Sequence, residues 1–404
     1  MRKKQAWLLA GVLTVLGLSV VLYIAFSSTR EPAEVDANKP KVLILTLECS
    51  GGHAATSKAI CQAMPSNIKC YEHFVDGHEN FYFYELVMRH KLLRILYNVY
   101  QPFVWGSQKW SIQSALGTIL RELKNNDYDA LVCVLPGLTE VMAETIVGYN
   151  IPFIIIPTDL EDALIGQSWL RISRHWLDPK VPNSHYLLGT QRLYDQAIEV
   201  GINPSRIRRI SGMPINQKFT SQSKSKAQLR KELGIAQDTQ VVLFLFGSCG
   251  STEMVDLMNI MDQHPQYHCI FICGKAKELK ARLDGLNVNG KHQVLGFVTN
   301  VAELMTASDV VVGKPGGTVT AESIACKVPI VMRSGIDVML QERYNVDYIK
   351  ELGVGEVVTD WNDLPEMLEW MFENYSEYAE NFKTIPKNNA LQETVEFIKE
   401  VVRG

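Results

Sequence analysis

A short run of small residues followed by a histidine marks the first place where chemistry could occur. Gly51 and Gly52 follow an apolar run that we predict to be a strand, and His53 stands just before a helix expected to begin near Ala54. Small residues let the backbone approach a ligand closely. A neutral imidazole accepts protons near neutral pH. His53 is therefore a candidate general base, and a histidine that only packs at a helix start is the simpler alternative.

A similar loop follows a second apolar run in the other half of the chain. It contains Gly247 and Ser248, which are followed by Cys249, Gly250 and Ser251. Its composition has the same physical meaning as the first loop, although either loop alone is compatible with an ordinary tight turn. Two such loops facing each other across a cleft predict a substrate held between two domains.

The third loop has the most specific composition. Pro315, Gly316, Gly317 and Thr318 lie between a predicted strand and a predicted helix, whose first amides can bind an anion. The loop is not a P-loop, because the Gly-Lys-Ser/Thr sequence is missing at the required spacing. Glu322 lies about one turn into the helix, where a carboxylate can accept hydrogen bonds from vicinal hydroxyls, as on a ribose. A contact with the helix dipole is the alternative role for Glu322.

The elements that must position these loops are strands with continuous apolar runs. Such runs, in contrast to alternating ones, predict parallel sheets covered on both faces. One series of runs occupies residues 42–47, 130–135, 153–156 and 186–188, and a second occupies 240–246, 269–273, 293–295, 310–312 and 330–332. We therefore predict an α/β protein with two doubly wound, Rossmann-like domains facing a cleft, and we place the boundary near residue 220.

The chain begins with a candidate membrane anchor. Residues 6–26 carry no charge and are long enough to span a hydrocarbon core as a helix, and Arg2, Lys3 and Lys4 precede them. A cleaved signal peptide is the alternative, but the apolar run is long for one and no clear cleavage site follows. We expect an anchor and tether at residues 1–40, a first folded domain at 41–220 and a second at 221–404, whose last helix packs back on the first domain.

Composition excludes several classes of protein. The 404 residues are 47% hydrophobic and 21% charged, with a formal charge of −4. These values are those of a globular protein and give no argument for nucleic-acid binding. Cys133, Cys269 and Cys273 lie inside apolar runs, where cysteine behaves as a small buried hydrophobe. We predict reduced thiols and no structural metal.

The order and spacing of several short segments resemble the monogalactosyldiacylglycerol-synthase-like glycosyltransferases. The segments are residues 50–53, 157–159, 211–215, 296–300, 307–309, 314–317, 321–323 and 328–330. The resemblance spans roughly residues 41–380. It implies a GT-B fold, in which residues 41–220 form an acceptor domain and residues 221–404 form a nucleotide-sugar domain. The donor would be a UDP-sugar, with no other cofactor.

The same resemblance implies roles for individual residues on the donor side. Phe297 and Val298 would meet the uracil, and Glu322 would hold the ribose hydroxyls. Ser248, next to Gly247, and the amides of the loop after Pro315 would cradle the diphosphate. Gln341 and Glu342 match a Gln-Glu pair near the sugar.

On the acceptor side, the resemblance makes His53 the base for the acceptor hydroxyl, with Asp159 orienting the acceptor or the histidine. Trp169 is retained near Asp159, but a histidine usual in this family is missing before it. Ala54 replaces a basic residue, and Ser50 replaces a glycine. These departures leave the acceptor less certain than the donor.

The resulting hypothesis is a membrane-bound, inverting and metal-independent hexosyltransferase that uses a UDP-sugar and a lipid acceptor, with diacylglycerol favoured. A polyprenyl-linked acceptor with UDP-N-acetylglucosamine, a nucleotide-binding pseudoenzyme and a UDP-sugar epimerase are alternatives. Aromatic and basic residues at 81–110 favour membrane contact. We place the body at the cytoplasmic face because of the donor and the expected thiols, although the N-terminal basic cluster favours export. The oligomeric state stays open.

Overall fold

The computed structural model describes residues 39–47, 51–75, 92–97, 116–136, 142, 146, 149, 151–162, 169–170 and 184–402. The predicted anchor at residues 6–26 and most of the aromatic segment 81–110 lie outside these ranges. Within them, every helix is too short or too polar to cross a membrane.

The first half of the chain forms a six-stranded sheet in the order β2-β1-β3-β4-β5-β6, and all neighbouring strands are parallel. Its strands are β1 (Lys41–Thr46), β2 (Lys69–Phe74), β3 (Ala130–Cys133), β4 (Phe153–Ile155), β5 (Ser184–Leu188) and β6 (Ile207–Arg209). Helices α1 (Gly51–Ala63) and α2 (Gln191–Glu199) accompany it, together with helical residues 92–97 and 116–125.

The second half forms another parallel six-stranded sheet, in the order β12-β11-β10-β7-β8-β9. Its strands are β7 (Gln240–Leu245), β8 (Tyr267–Ile272), β9 (His292–Leu295), β10 (Val310–Gly313), β11 (Ile330–Arg333) and β12 (Gly355–Val358). The helices are α3 (Gln217–Thr220), α4 (Lys226–Leu233), α5 (Glu253–Met261), α6 (Lys277–Asp284), α7 (Val301–Ala307), α8 (Gly317–Cys326), α9 (Arg343–Glu351), α10 (Leu364–Glu373), α11 (Tyr375–Thr384) and α12 (Ala390–Val401). The predicted two-domain, Rossmann-like α/β fold is confirmed.

Three strands escaped the sequence analysis, and they share a position at the edge of a sheet. β2 and β6 form the edges of the first sheet, and β12 forms one edge of the second. Edge strands are covered less completely, so their sequences, such as the polar β2, lack a continuous apolar run.

The expectation of reduced thiols is wrong for two cysteines. Cys61, in the last turn of α1, forms a disulfide with Cys70 in β2, and their Cα atoms lie 5.3 Å apart. The sequence analysis considered cysteines inside apolar runs, whereas this pair lies where α1 returns to an unpredicted edge strand. Cys133, Cys249, Cys269, Cys273 and Cys326 are free thiols. The cysteines therefore no longer favour a cytoplasmic location for the folded body of the protein.

The C-terminal helix α12 returns to the first half of the chain. Phe397 and Ile398 of α12 share a hydrophobic core with Val42 and Ile44 of β1. Burying a side chain of this size contributes about 1.5–3 kcal/mol. This packing couples the stability of the N-terminal sheet to the last helix of the chain.

The strand orders fix where a ligand can bind. In the first sheet the order reverses at β1 and β3, and in the second sheet it reverses at β7 and β10. Open parallel sheets bind ligands outside the carboxyl ends of strands at such a switch point. The segments after β1, β7 and β10 are the three loops singled out from the sequence.

Candidate active site

A cleft of about 310 Å³ lies between the carboxyl ends of the two sheets. The first half contributes Gly51, Gly52, His53 and Asp159 to its lining, and the second half contributes the predicted donor-side residues. These donor-side residues are Gly247, Ser248, Phe297, Val298, Pro315, Gly316, Gly317, Thr318, Glu322, Gln341 and Glu342. The fold thus brings residues more than 200 positions apart in the chain to one cavity.

His53 lies in the first turn of α1, because the helix begins at Gly51, three residues earlier than expected. Its Nδ1 atom lies 2.7 Å from the Oγ1 atom of Thr158 in a hydrogen bond. The His53 ring also stands near the indole of Trp169, with 6.2 Å between ring centroids. The sequence analysis gave Thr158 no role of its own, although it directly precedes the predicted Asp159.

Asp159 is held by an aromatic donor. The indole Nε1 of Trp169 donates a hydrogen bond to Asp159 Oδ2 at 2.8 Å. Burial raises the pKa of Asp159 to about 7, and the bond from Trp169 opposes this shift. Trp169 is itself fully buried, so its role is to orient the carboxyl group from beneath the cleft.

The two halves approach most closely at glycines. A Cβ atom placed on Gly51 would lie 2.7 Å from Ser248 Oγ, and one on Gly52 would lie 2.6 Å from Thr318 Oγ1. From the other side, a Cβ on Gly317 would lie 2.7 Å from the carbonyl oxygen of Thr158. Real Cβ contacts are longer than this. The approach requires glycine most strictly at Gly317, where the opposing atom belongs to the backbone and cannot rotate away.

The loop after β10 is shaped by its own hydrogen bonds. Gly316 is the N-cap of α8, and its carbonyl accepts a 2.8 Å bond from Thr320 Oγ1. Asn345 Nδ2 donates to the carbonyl of Pro315 at 2.6 Å. Lys314 Nζ pairs with Glu342 Oε1 at 2.8 Å, which gives Glu342 a partner that the sequence analysis did not predict.

Other donor-side residues present unused polar and aromatic groups to the cleft. Burial raises the pKa of Glu322 to about 8, so its carboxyl group is largely protonated at neutral pH. Phe297 is 67% exposed, an unusual position for a phenylalanine side chain. Within the described residues, the buried Oε1 atom of Gln341 accepts no hydrogen bond.

A buried ion cluster closes one end of the cleft. Arg94, from helical residues 92–97, pairs with Asp337 at 2.9 Å and with Glu253. Arg333 pairs with the same two carboxylates, 3.4 Å from Glu253, and Trp361 Nε1 donates to Glu253 at 2.6 Å. Burial by itself would raise the pKa of Asp337, but the two guanidinium groups hold it below its usual range. The sequence analysis did not single out this cluster.

In the part of the chain that the structure describes, no group of three or more His, Cys, Asp or Glu side chains is arranged to hold a metal ion.

The sequence is similar to those of known glycosyltransferases. Residues 225–388 match the family model for glycosyl transferases group 1. The chain is 25% identical over 340 residues to the processive diacylglycerol beta-glucosyltransferase of Staphylococcus carnosus, covering 80% of this chain and 82% of the relative. It is 26% identical over 365 residues to the chloroplastic monogalactosyldiacylglycerol synthase of Spinacia oleracea, covering 84% and 67% respectively.

The chain is similar to glycosyltransferases. The similarity supports a sugar-transferring enzyme and confirms the resemblance seen in the motifs. Among solved structures, UDP-GlcNAc 2-epimerase from Neisseria meningitidis, bound to UDP-GlcNAc, has a TM-score of 0.59 at 14% identity, covering 90% of this chain and 99% of that chain. At that identity, the likeness supports the two-domain fold alone.

Proposed function

We propose that this GT-B glycosyltransferase transfers a hexose from a UDP-sugar to a lipid acceptor, with diacylglycerol the favoured acceptor. The observation that carries the proposal is the meeting of two helix starts, α1 with His53 and α8 with Gly317 and Thr318, across one cleft. An acceptor base and an anion-binding helix end then face the same reacting centre. The named activities of the curated relatives support the choice of a lipid acceptor.

The donor would occupy the second half of the cleft. The exposed ring of Phe297, with Val298, would stack on or pack against the uracil, and Glu322 would accept hydrogen bonds from the ribose hydroxyls. Ser248 and the first amides of α8 would bind the diphosphate, because the start of a helix carries unpaired N–H groups and partial positive charge. Gln341 would donate and accept hydrogen bonds at the hexose.

The transfer step would use His53 as general base. With Nδ1 hydrogen-bonded to Thr158, the other ring nitrogen, Nε2, would take the proton of the acceptor hydroxyl. The acceptor oxygen forms a bond to the anomeric carbon, and the bond from that carbon to the β-phosphate oxygen breaks. UDP leaves with the electron pair, and the α8 amides stabilise its charge. A single displacement of this kind inverts the anomeric centre and needs no metal ion.

A product assay tests the proposal. The detergent-purified protein is incubated with UDP-glucose, UDP-galactose or UDP-N-acetylglucosamine, each with diacylglycerol or a polyprenyl-linked acceptor, and the lipids are analysed by mass spectrometry. We expect a hexosyl-diacylglycerol that disappears with His53→Ala. If only the polyprenyl-linked lipid gives a product, that lipid and not diacylglycerol is the acceptor. Tight UDP binding without any glycolipid product would favour the pseudoenzyme. A soluble epimerised sugar would favour the epimerase.

A further inference from the structure

Arg94 is the one cluster member that comes from the first half of the chain. Its side chain is buried and lies against Glu253 at the start of α5 and Asp337 after β11. Its Nε atom also donates to the carbonyl of Asp337 at 3.3 Å. The Arg94 side chain of the acceptor half therefore crosses to the donor half and forms ion pairs with two of its carboxylates.

The charges of the cleft show what Arg94 supplies. The donor half contributes the basic residues Lys314 and Arg333 and the acidic residues Glu253, Asp337 and Glu342. Glu322, with its pKa of about 8, adds little charge at neutral pH. The donor half alone therefore carries excess negative charge at the place where a diphosphate would bind, and Arg94 offsets it.

The cluster is continuous with the proposed diphosphate loop. Ser251 belongs to the loop after β7, and Glu253 follows it by two residues. The backbone N–H of Glu253 donates a hydrogen bond to Ser251 Oγ at 3.3 Å. Arg94, Ser248, Ser251 and Glu253 line the same cleft. An unpaired carboxylate at Glu253 would thus repel an anion held by this loop, and the low dielectric of a buried site strengthens such repulsion.

We propose that Arg94 is a positioning residue that completes the donor pocket: by neutralising Glu253 and Asp337 from the opposite half, it makes diphosphate binding depend on closure of the cleft. This inference rests on the proposed UDP-sugar donor. Arg94 acts through the two carboxylates and is not assigned a contact with the donor. The consequence is that the donor is held tightly only when His53 has also been brought into place.

The test compares a charged ligand with a neutral one. Binding of UDP and of uridine to the full chain in detergent is measured by calorimetry, with weak uridine binding measured by competition. Arg94→Met should weaken UDP binding by about tenfold and change uridine binding by less than about twofold, because only the diphosphate senses the lost charge. Arg94→Lys should restore most of the UDP affinity.

Two further variants separate charge from packing. Glu253→Gln removes the repelling carboxylate, so it should restore UDP affinity in the Arg94→Met background and raise it several-fold alone. The control is Arg208→Met, which breaks the pair between Arg208 and Glu400 of α12, 3.1 Å apart and remote from the cleft. It should leave both ligands unaffected.

Each outcome is decisive. Equal loss of UDP and uridine in Arg94→Met would mean that Arg94 only maintains structure, and unchanged UDP binding would also overturn the inference. If Arg94→Met does not fold, an unchanged UDP affinity in Glu253→Gln alone overturns it. A wild-type protein that binds neither UDP nor a UDP-sugar would instead defeat the proposed function together with this inference.

Discussion

The Nδ1 atom of His53 lies 2.7 Å from the hydroxyl oxygen of Thr158, although the two residues are 105 positions apart in the chain. The hydrogen bond joins the first turn of α1 to the segment after β4. It restricts rotation of the imidazole ring, and in the proposed mechanism it leaves Nε2 to face the acceptor. The same Thr158 contributes the carbonyl that Gly317 of the donor half approaches.

Removing the proposed base should slow transfer strongly without weakening the binding of the donor. We expect His53→Ala to lower kcat by about 10²–10⁴-fold, the usual contribution of a general base. Thr158→Val keeps the shape but not the hydrogen bond, so kcat should fall by a smaller factor, about tenfold. Steady-state kinetics with the UDP-sugar, together with UDP binding by calorimetry, check this. A His53→Ala variant with full turnover would show that the base lies elsewhere.

A methyl group on Gly317 should keep the cleft open. The added Cβ would lie 2.7 Å from the carbonyl oxygen of Thr158. This oxygen belongs to the backbone, so it cannot move aside by a side-chain rotation. Overpacking of this kind costs about 1–3 kcal/mol, which corresponds to a fall in kcat/KM of roughly 5–150-fold.

The matched control for Gly317→Ala is Gly117→Ala, because a Cβ at Gly117 meets no atom within 4 Å. Its kcat/KM should equal that of the wild type. If both variants turn over normally, the two halves do not meet at Gly317 during the reaction.

Donor affinity should rise with pH through the ionisation of Glu322. In the ligand-free protein, burial raises its pKa to about 8. Ribose hydroxyls donate to the carboxylate, so binding favours the ionised form and releases a proton below pH 8. UDP-glucose binding should therefore tighten from pH 6 to pH 8 and then level off.

Calorimetry in buffers of different ionisation enthalpy measures that proton release, and Glu322→Gln should remove it. Asp159, with its pKa of about 7, also ionises in this range but adds negative charge near the donor, so its effect has the opposite sign. Asp159→Asn should therefore steepen the rise in affinity. A flat pH profile in both the wild type and Asp159→Asn would contradict the role of Glu322.

The disulfide should stabilise the acceptor half. Cys61 and Cys70 are nine residues apart, and closing a loop of this size contributes about 2–3 kcal/mol to the free energy of unfolding in the chain-entropy account. Thermal unfolding should shift to lower temperature on reduction of the wild type. The Cys61→Ala, Cys70→Ala double variant should unfold at the lower temperature with or without reductant.

Peptide mapping after thiol alkylation of the protein in its native membranes locates the bond. Protection of Cys61 and Cys70 would place the body in an oxidising compartment, since disulfides persist there. Alkylation of both residues would indicate that the folded body lies in a reducing compartment.

Sequence alone determined the architecture, because buried parallel strands must be apolar along their whole length. The apolar runs of β1, β3, β7 and β10 therefore predicted both sheets, and the glycine-rich loops after β1, β7 and β10 predicted the cleft. Glu322 and His53 could be singled out as candidates because each lies near a helix start that follows a strand, and the structure places both in the cleft lining.

Only the tertiary structure decided which of these groups touch. The bond between His53 and Thr158, the disulfide between Cys61 and Cys70, and the contacts of Arg94 with Glu253 and Asp337 join residues through space. Local periodicity carries no information about such pairings, because they depend on strand order and on how two sheets face each other. Edge strands such as β2 were also invisible, since a half-exposed strand needs no apolar pattern to pair with its neighbour.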